Sequence, residues 1–273
     1  MMPRFPHTRA VWVCLTIVLL VAAIAACSRP ASELPAAAVL PAATATSGVS
    51  AASPTVVRPT SPPTTLSKDQ VLRDVHWLGH ASFRLTGERV VYIDPWQLKG
   101  EGKADIILVT HAHADHCSPA DVAKTRGPET VVLAPADCVA RLGGEVRVVK
   151  PGDRLTVQGV AIEVVPAYNI AKSNHPKQSG WVGYIVTLNG VRIYHAGDTE
   201  RIPEMEGLKA DVALLPVDGK YTMTAAEAAG AADAITPQVA VPIHWGTSVG
   251  SRADAEQFQD KCKVPVQIMQ VES

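Results

Sequence analysis

The sequence predicts two β-sheets packed face to face with helices on the outside. Three observations predict it. Short apolar runs bounded by turn residues dominate the chain from residue 68 onward. Strand-rich stretches carrying one or two helices occur twice in succession, a rhythm that suits two packed sheets. Hydrophobic residues make up 47% of the 273, enough for a full core. About 205 residues fit one domain of this kind.

In chain order, Val75–Leu78, Ser82–Leu85 and Val90–Ile93 read as short strands, with Gly79 and Thr86-Gly87-Glu88 at the turns. Asp105–Thr110 is a fourth strand. Ser118-Pro119 then caps and starts a helix to about Lys124, with proline in the first turn, where its missing N–H does no harm. Thr130–Leu133 is a strand, Ala136–Leu142 a short helix closed by Gly143-Gly144, and Val146–Val149 another strand. Leu155–Val157 and Val160–Val165 form a hairpin around Gly159. Trp181–Leu188 and Val191–His195 flank Asn189-Gly190, the strongest hairpin signal in the chain. Asp211–Leu215 is a strand, Thr224–Ile235 an alanine-rich helix, Val239–Ile243 a strand ending at His244, Arg252–Lys261 a helix and Val266–Met269 a last strand. There is no solenoid-type repeat.

The first 67 residues differ in kind. Arg4 and Arg9 precede an apolar run from Ala10 to Ala26, short for a membrane span and suited to an export signal. It ends in Ile24-Ala25-Ala26-Cys27, which resembles a bacterial lipobox; cleavage there leaves Cys27 lipidated at the new N-terminus. An uncleaved membrane anchor is the other reading. Either places the rest outside the cytoplasm, held at a bacterial membrane and facing the periplasm or exterior. Residues 27–67, rich in Pro, Ala, Ser and Thr, have too little apolar surface to offset ordering entropy and read as a disordered tether. Cys117, Cys138 and Cys262 then remain, an odd number that excludes complete internal pairing. A net charge of −1 offers no basic footprint for nucleic acid, and 5% aromatics argue against an extended aromatic platform.

Chemistry concentrates at Thr110-His111-Ala112-His113-Ala114-Asp115-His116, after the apolar run Ile106–Val109. Three imidazoles and a carboxylate at the end of a buried strand are costly to desolvate unless each finds a partner. A divalent metal supplies one, and imidazole with carboxylate suits zinc, manganese or iron. His111 and His113, two apart, point the same way from extended chain. Asp115 and His116 follow where the chain turns, and can face a second ion. Asp198, after the sharp turn Gly197 allows, and His244 stand at the ends of later apolar strands. A carboxylate such as Asp198 can bridge two cations.

His111-Ala-His113-Ala-Asp115-His116, His195-Ala-Gly-Asp198-Thr199 and Pro242-Ile-His244-Trp-Gly246 resemble the signature of the metallo-β-lactamase superfamily. Trp77-Leu-Gly-His80-Ala-Ser, Ile93-Asp94-Pro95 and Leu215–Met223 resemble its metal-dependent hydrolase branch, which includes the L-ascorbate-6-phosphate lactonases and, more distantly, the N-acyl-phosphatidylethanolamine phospholipase D enzymes. The similarity runs from about Val71 to the C-terminus. It implies an α/β (α+β) chain folded as a four-layer αββα sandwich with a metal site at one edge. It also implies that His111 and His113 bind a first ion, that Asp115, His116 and His244 bind a second, and that Asp198 bridges both. Asp94 would orient the metal loop.

One position departs from the pattern. Asn169 stands where the family carries a further first-site histidine. Either His175 swings in from the loop as the replacement, which is favoured because imidazole binds zinc better than carboxamide, or Asn169 or water completes a weaker site. His80 lines the cleft or holds its turn, and His195 is a buried strand residue. Tyr221 and Lys220 contact an anionic substrate or lie in a solvated loop.

The expected function is therefore hydrolysis of an ester, lactone or phosphodiester, from a small molecule or a lipid. A water activated by two divalent ions, zinc first, attacks the substrate, and Asp115 orients the nucleophile or passes its proton. The alternative is an envelope lipoprotein that binds metal or a partner without turnover.

Overall fold

The computed structural model describes residues 66–100 and 102–272. The expected signal segment (1–26), Cys27 and the tether up to residue 65 lie outside the described residues.

Alternation along the strands sets the layers. Strand β4 (Ala104–Leu108) buries Ile106 and Leu108 between the sheets, while Ile107 and the following Val109 face the opposite way, toward helices. In β3 (Val91–Ile93), Val91 and Ile93 join the inter-sheet core and Tyr92 the helix side. Side chains of period two, apolar on both faces, require cover on both faces.

Each sheet has six strands in chain order. The first contains β1 (Val75–Gly79), β2 (Ser82–Leu85), β3, β4, β5 (Arg126–Ala134) and β6 (Arg147–Val148). Pairing is antiparallel from β1 to β3 and parallel from β3 to β6. The second contains β7 (Arg154–Val157), β8 (Val160–Pro166), β9 (Val182–Leu188), β10 (Val191–His195), β11 (Val212–Pro216) and β12 (Val239–Ile243). Pairing there is antiparallel from β7 to β10 and parallel from β10 to β12. Parallel neighbours need crossovers. Helix α2 (Pro119–Thr125) carries the chain from β4 to β5, and α4 (Ala225–Ile235) from β11 to β12.

With α3 (Val139–Leu142), α2 covers the outer face of the first sheet through Val122 and Leu142. Helices α4 and α5 (Arg252–Lys261) cover the second through Ala228, Ala232 and Phe258, all fully buried. The result is the four-layer sandwich expected. Three of these helices start on side-chain caps their sequences offer: Ser118 for α2, and capping boxes at Thr224/Glu227 and Ser251/Asp254 for α4 and α5.

Two elements differ from expectation. Helix α1 (Lys68–Leu72) was not anticipated, although Ser67 and Gln70 form a capping box ahead of it. The expected strand Val266–Met269 is reduced to a bridge at Val266, bonded through Pro265 O and Gln267 N to Ala240. Beyond it the chain leaves β12 and crosses toward β1, where Glu272 N donates to Trp77 O. A run of four residues with a proline at its head had too little pairing to hold register.

Candidate metal centre

All the site residues stand at strand ends or in the loops beyond. The loop after β4 carries His111, His113, Asp115 and His116; β10 leads through Ala196-Gly197 to Asp198; β12 ends at His244. Gly197 sits at φ +64, and a Cβ there would lie 2.8 Å from Val182 O, so only glycine lets the chain turn into Asp198. His80, Asp94, His175 and His244 have φ between 46 and 61. Each such conformation costs an L-residue about 1–2 kcal/mol, and such strain persists where surrounding contacts fix it, often at functional sites.

A first cluster forms from His111, His113 and His175. His113 Nδ1 lies 3.1 Å from His111 Nε2 and 3.1 Å from His175 Nε2. Three ligands on a tetrahedral ion with bonds of 2.0–2.1 Å would be separated by about 3.3 Å. The spacing suits a shared cation. His175 therefore reaches the cluster from the loop, while Asn169 lies behind it with its amide nitrogen 3.3 Å from His175 Nδ1.

The second cluster brings together Asp115, His116, His244 and, additionally, His80. Asp115 Oδ2 is 3.7 Å from His116 Nε2, 4.0 Å from His244 Nε2 and 3.0 Å from His80 Nε2. Asp198 stands between the clusters. Its Oδ1 is 3.4 Å from His116 Nε2, and its Oδ2 is 3.2 Å from both His175 Nε2 and His244 Nε2 and 3.8 Å from His111 Nε2.

Three of these atoms, His116 Nε2, His244 Nε2 and Asp198 Oδ1, are buried without a hydrogen-bond partner among the described residues. Orphaned buried polar atoms are expensive. Here they converge, and a cation is the group whose chemistry matches nitrogen and carboxylate donors together. The residues present thus fit a divalent metal.

The rear nitrogens of the imidazoles are held by partners that fix which nitrogen faces forward. Asp94 accepts from Thr110 N at 2.8 Å, from Thr110 Oγ1 at 2.6 Å and from His116 Nδ1 at 2.7 Å. Thr110 Oγ1 in turn lies 2.9 Å from His111 Nδ1, so one carboxylate orients ligands in both clusters. Asp218 Oδ2 does the same for His244 Nδ1 at 2.9 Å. His80 is fully buried and lies between Thr247 Oγ1, 3.0 Å from its Nδ1, and Asp115. His195 is buried in β10 against Ala81 O, as its strand position implies.

Burial by itself would raise the Asp198 carboxyl, but His116 and His244 outweigh it and hold it well below the usual carboxylate range. Burial would lower His244; Asp198 and Asp218 instead push it up to about 9. Burial wins at His111, which lies well below an ordinary imidazole.

Tyr221 and Lys220 border a cavity of about 280 Å³ that opens onto both clusters, together with Asn174, Ser248 and Val249. Asp218 and Trp181 were not singled out from sequence. Asp218 had a signal: like Asp94 and Asp198, it is an acid just past a buried strand. Trp181 had none, since only the fold lays its ring 4.9 Å from both His111 and His113 while its indole N–H donates to Asp137.

Residues 74–244 match the model of the β-lactamase superfamily domain. A metal-dependent hydrolase of Thermococcus onnurineus is 36% identical over 211 residues, covering 70% of this chain and 94% of the relative. One from Pyrococcus abyssi is 38% identical over 214 residues, with 70% and 95% covered. Among solved structures, one from Parabacteroides distasonis assigned as a metal-dependent hydrolase superposes with a TM-score of 0.66 at 36% identity, over 72% of this chain and 93% of the other.

Proposed function

This chain belongs to the β-lactamase superfamily as one of its metal-dependent hydrolases, and from that premise we propose that it cleaves an ester, lactone or phosphodiester with water at a pair of divalent ions, zinc first. The observation that carries the reading is the convergence of six side chains and Asp198 around buried nitrogen and oxygen atoms, three of which find no hydrogen-bond partner among the described residues. His111, His113 and His175 would hold one ion. Asp115, His116 and His244 would hold the other, with Asp198 shared. Two such ions, when bound, would supply Lewis acidity and bring the pKa of water toward about 7.

The protein's own residues do the rest. Asp115 is the one carboxylate of the cluster that is about a third exposed, and it borders the cavity, so it can orient the attacking water and take its proton. His80 Nε2 lies 3.0 Å from the same Asp115 oxygen that faces His116 and His244, and fixes its position. Tyr221 and Lys220 meet the substrate at the rim, where Lys220 Nζ lies over the Tyr221 ring. The polar lining favours a small polar ester over a long acyl chain.

The test is a metal assay joined to a panel of lactone, phosphodiester and β-lactam substrates. Asp198→Ala should abolish whatever hydrolysis is found, and activity surviving that change would assign it to another protein. One loosely held ion or none would favour the alternative, a metal- or partner-binding envelope protein without turnover.

The proposal includes location. Ile24-Ala25-Ala26-Cys27 supports export and lipidation at Cys27, with residues 27–67 as the tether to a bacterial membrane. Cys27→Ala should yield an unprocessed or released protein; unchanged size and membrane attachment would refute this.

A further inference from the structure

We propose that Asn169 is a positioning residue that ties the two halves of the metal centre together, an inference that rests on the two-metal reading above. Asn169 is buried, and its side-chain nitrogen donates to Asn174 O and to Tyr221 O, each at 2.7 Å. Its backbone N–H donates to His175 O at 2.7 Å. The chain therefore leaves at Asn169, makes a short excursion and is fastened back on Asn169, which puts His175 Nε2 at the first cluster.

The other hydrogen bond runs to the second cluster. Tyr221 N donates to Asp218 Oδ1 at 2.7 Å, and Asp218 Oδ2 orients His244 through Nδ1 at 2.9 Å. One carboxamide thus grips the loop that presents His175 and the turn that presents His244. A neutral histidine at this position would have no second N–H to give, so the double grip needs a carboxamide. The loop has separate support: Glu200 accepts from Ile170 N and Ala171 N, both at 2.7 Å, and pairs with Lys172. Removing the amide should therefore loosen the ligands without unfolding the loop.

Asn169 Oδ1 is buried with no hydrogen-bond partner among the described residues, which supplies the competing account, a carboxamide oxygen ligand. Asn169→Asp separates the two. The isosteric carboxylate cannot donate and would face two carbonyl oxygens, whereas as a ligand it would bind a cation at least as well as an amide.

The full chain, stripped with chelator, is titrated with Co²⁺ and followed by its d–d absorption. Wild type should take two equivalents. Asn169→Asp should weaken both sites, each by about 10–100-fold. Asn169→Ala, which adds no charge, should repeat that double loss should the Asp variant fold poorly. His175→Ala should remove the first site and leave the second at wild-type affinity. Wild-type affinity in Asn169→Asp, or a loss confined to the first site, overturns the proposal. A wild-type protein without a tight Co²⁺ site overturns the two-metal reading itself, a separate failure.

Discussion

Asp94→Asn isolates the support beneath the ions. Asp94 has φ +46, a conformation asparagine tolerates well, so the swap leaves the backbone in place. It replaces a carboxylate that accepts three hydrogen bonds, from Thr110 N, Thr110 Oγ1 and His116 Nδ1. An amide has one accepting atom, and its NH₂ must point at one of those partners. Turned toward His116, it favours the tautomer with the hydrogen on Nε2, the atom that should face the metal. A hydrogen bond to a charged group contributes about 1.5–3 kcal/mol. At about 1.4 kcal/mol per factor of ten, the second ion should bind about 10–150-fold more weakly. The first ion should suffer less, because Asp94 reaches His111 only through Thr110. Competition against a chromophoric chelator measures both constants. An Asp94→Asn protein that holds its second ion as tightly as wild type would refute the claim that this carboxylate sets the His116 tautomer.

Two further outcomes are expected. His244 stands raised to about 9 without metal, so its protonated form is favoured by folding; that stabilisation is complete below the ordinary imidazole value of about 6.5 and disappears as pH rises through about 9. Metal needs the same nitrogen bare, so between pH 7 and 9.5 the chelator-treated protein should melt at falling temperature while its metal affinity rises. His116, which Asp198 and Asp94 raise against the lowering effect of burial, moves the trend the same way; the imidazoles pushed down by burial, His80, His111, His113 and His195, are already neutral in that window and should not mask it, and a flat affinity would contradict it. Gly183→Ala places a Cβ 2.6 Å from His195 O and 2.8 Å from Ala196 O, backbone atoms on the approach to Asp198. Overpacking of this kind costs about 1–3 kcal/mol, and an unshifted urea midpoint would show that β9 and β10 separate freely.

Much of this protein follows from local pattern. Strand and helix positions, the caps at Ser118 and Thr224, and the Asn189-Gly190 hairpin are decided by neighbours in sequence, because alternation, capping and turn chemistry act over a few residues. The loop His111–His116 announced metal for the same reason: its donors are adjacent, and no bland role satisfies so many imidazoles at once. Asp198 and His244 were legible as polar residues ending apolar strands.

What the tertiary structure decided depends on residues far apart in the chain. His175 or Asn169 could not be chosen by spacing, since the answer lies in a loop folded back against Glu200 and Tyr221, 29 to 52 positions away from the residues it meets. Asp218 became the partner of His244 only when β11 and β12 paired, and Trp181 the cover over His111 and His113 only when the start of β9 met the loop after β4. Val266–Met269 had strand composition, yet the chain left β12 to reach β1. Sequence by itself determined which donors this protein has. Packing two sheets face to face determined which of them converge and which stand behind, because convergence is a matter of ångströms between groups that sequence distance does not measure.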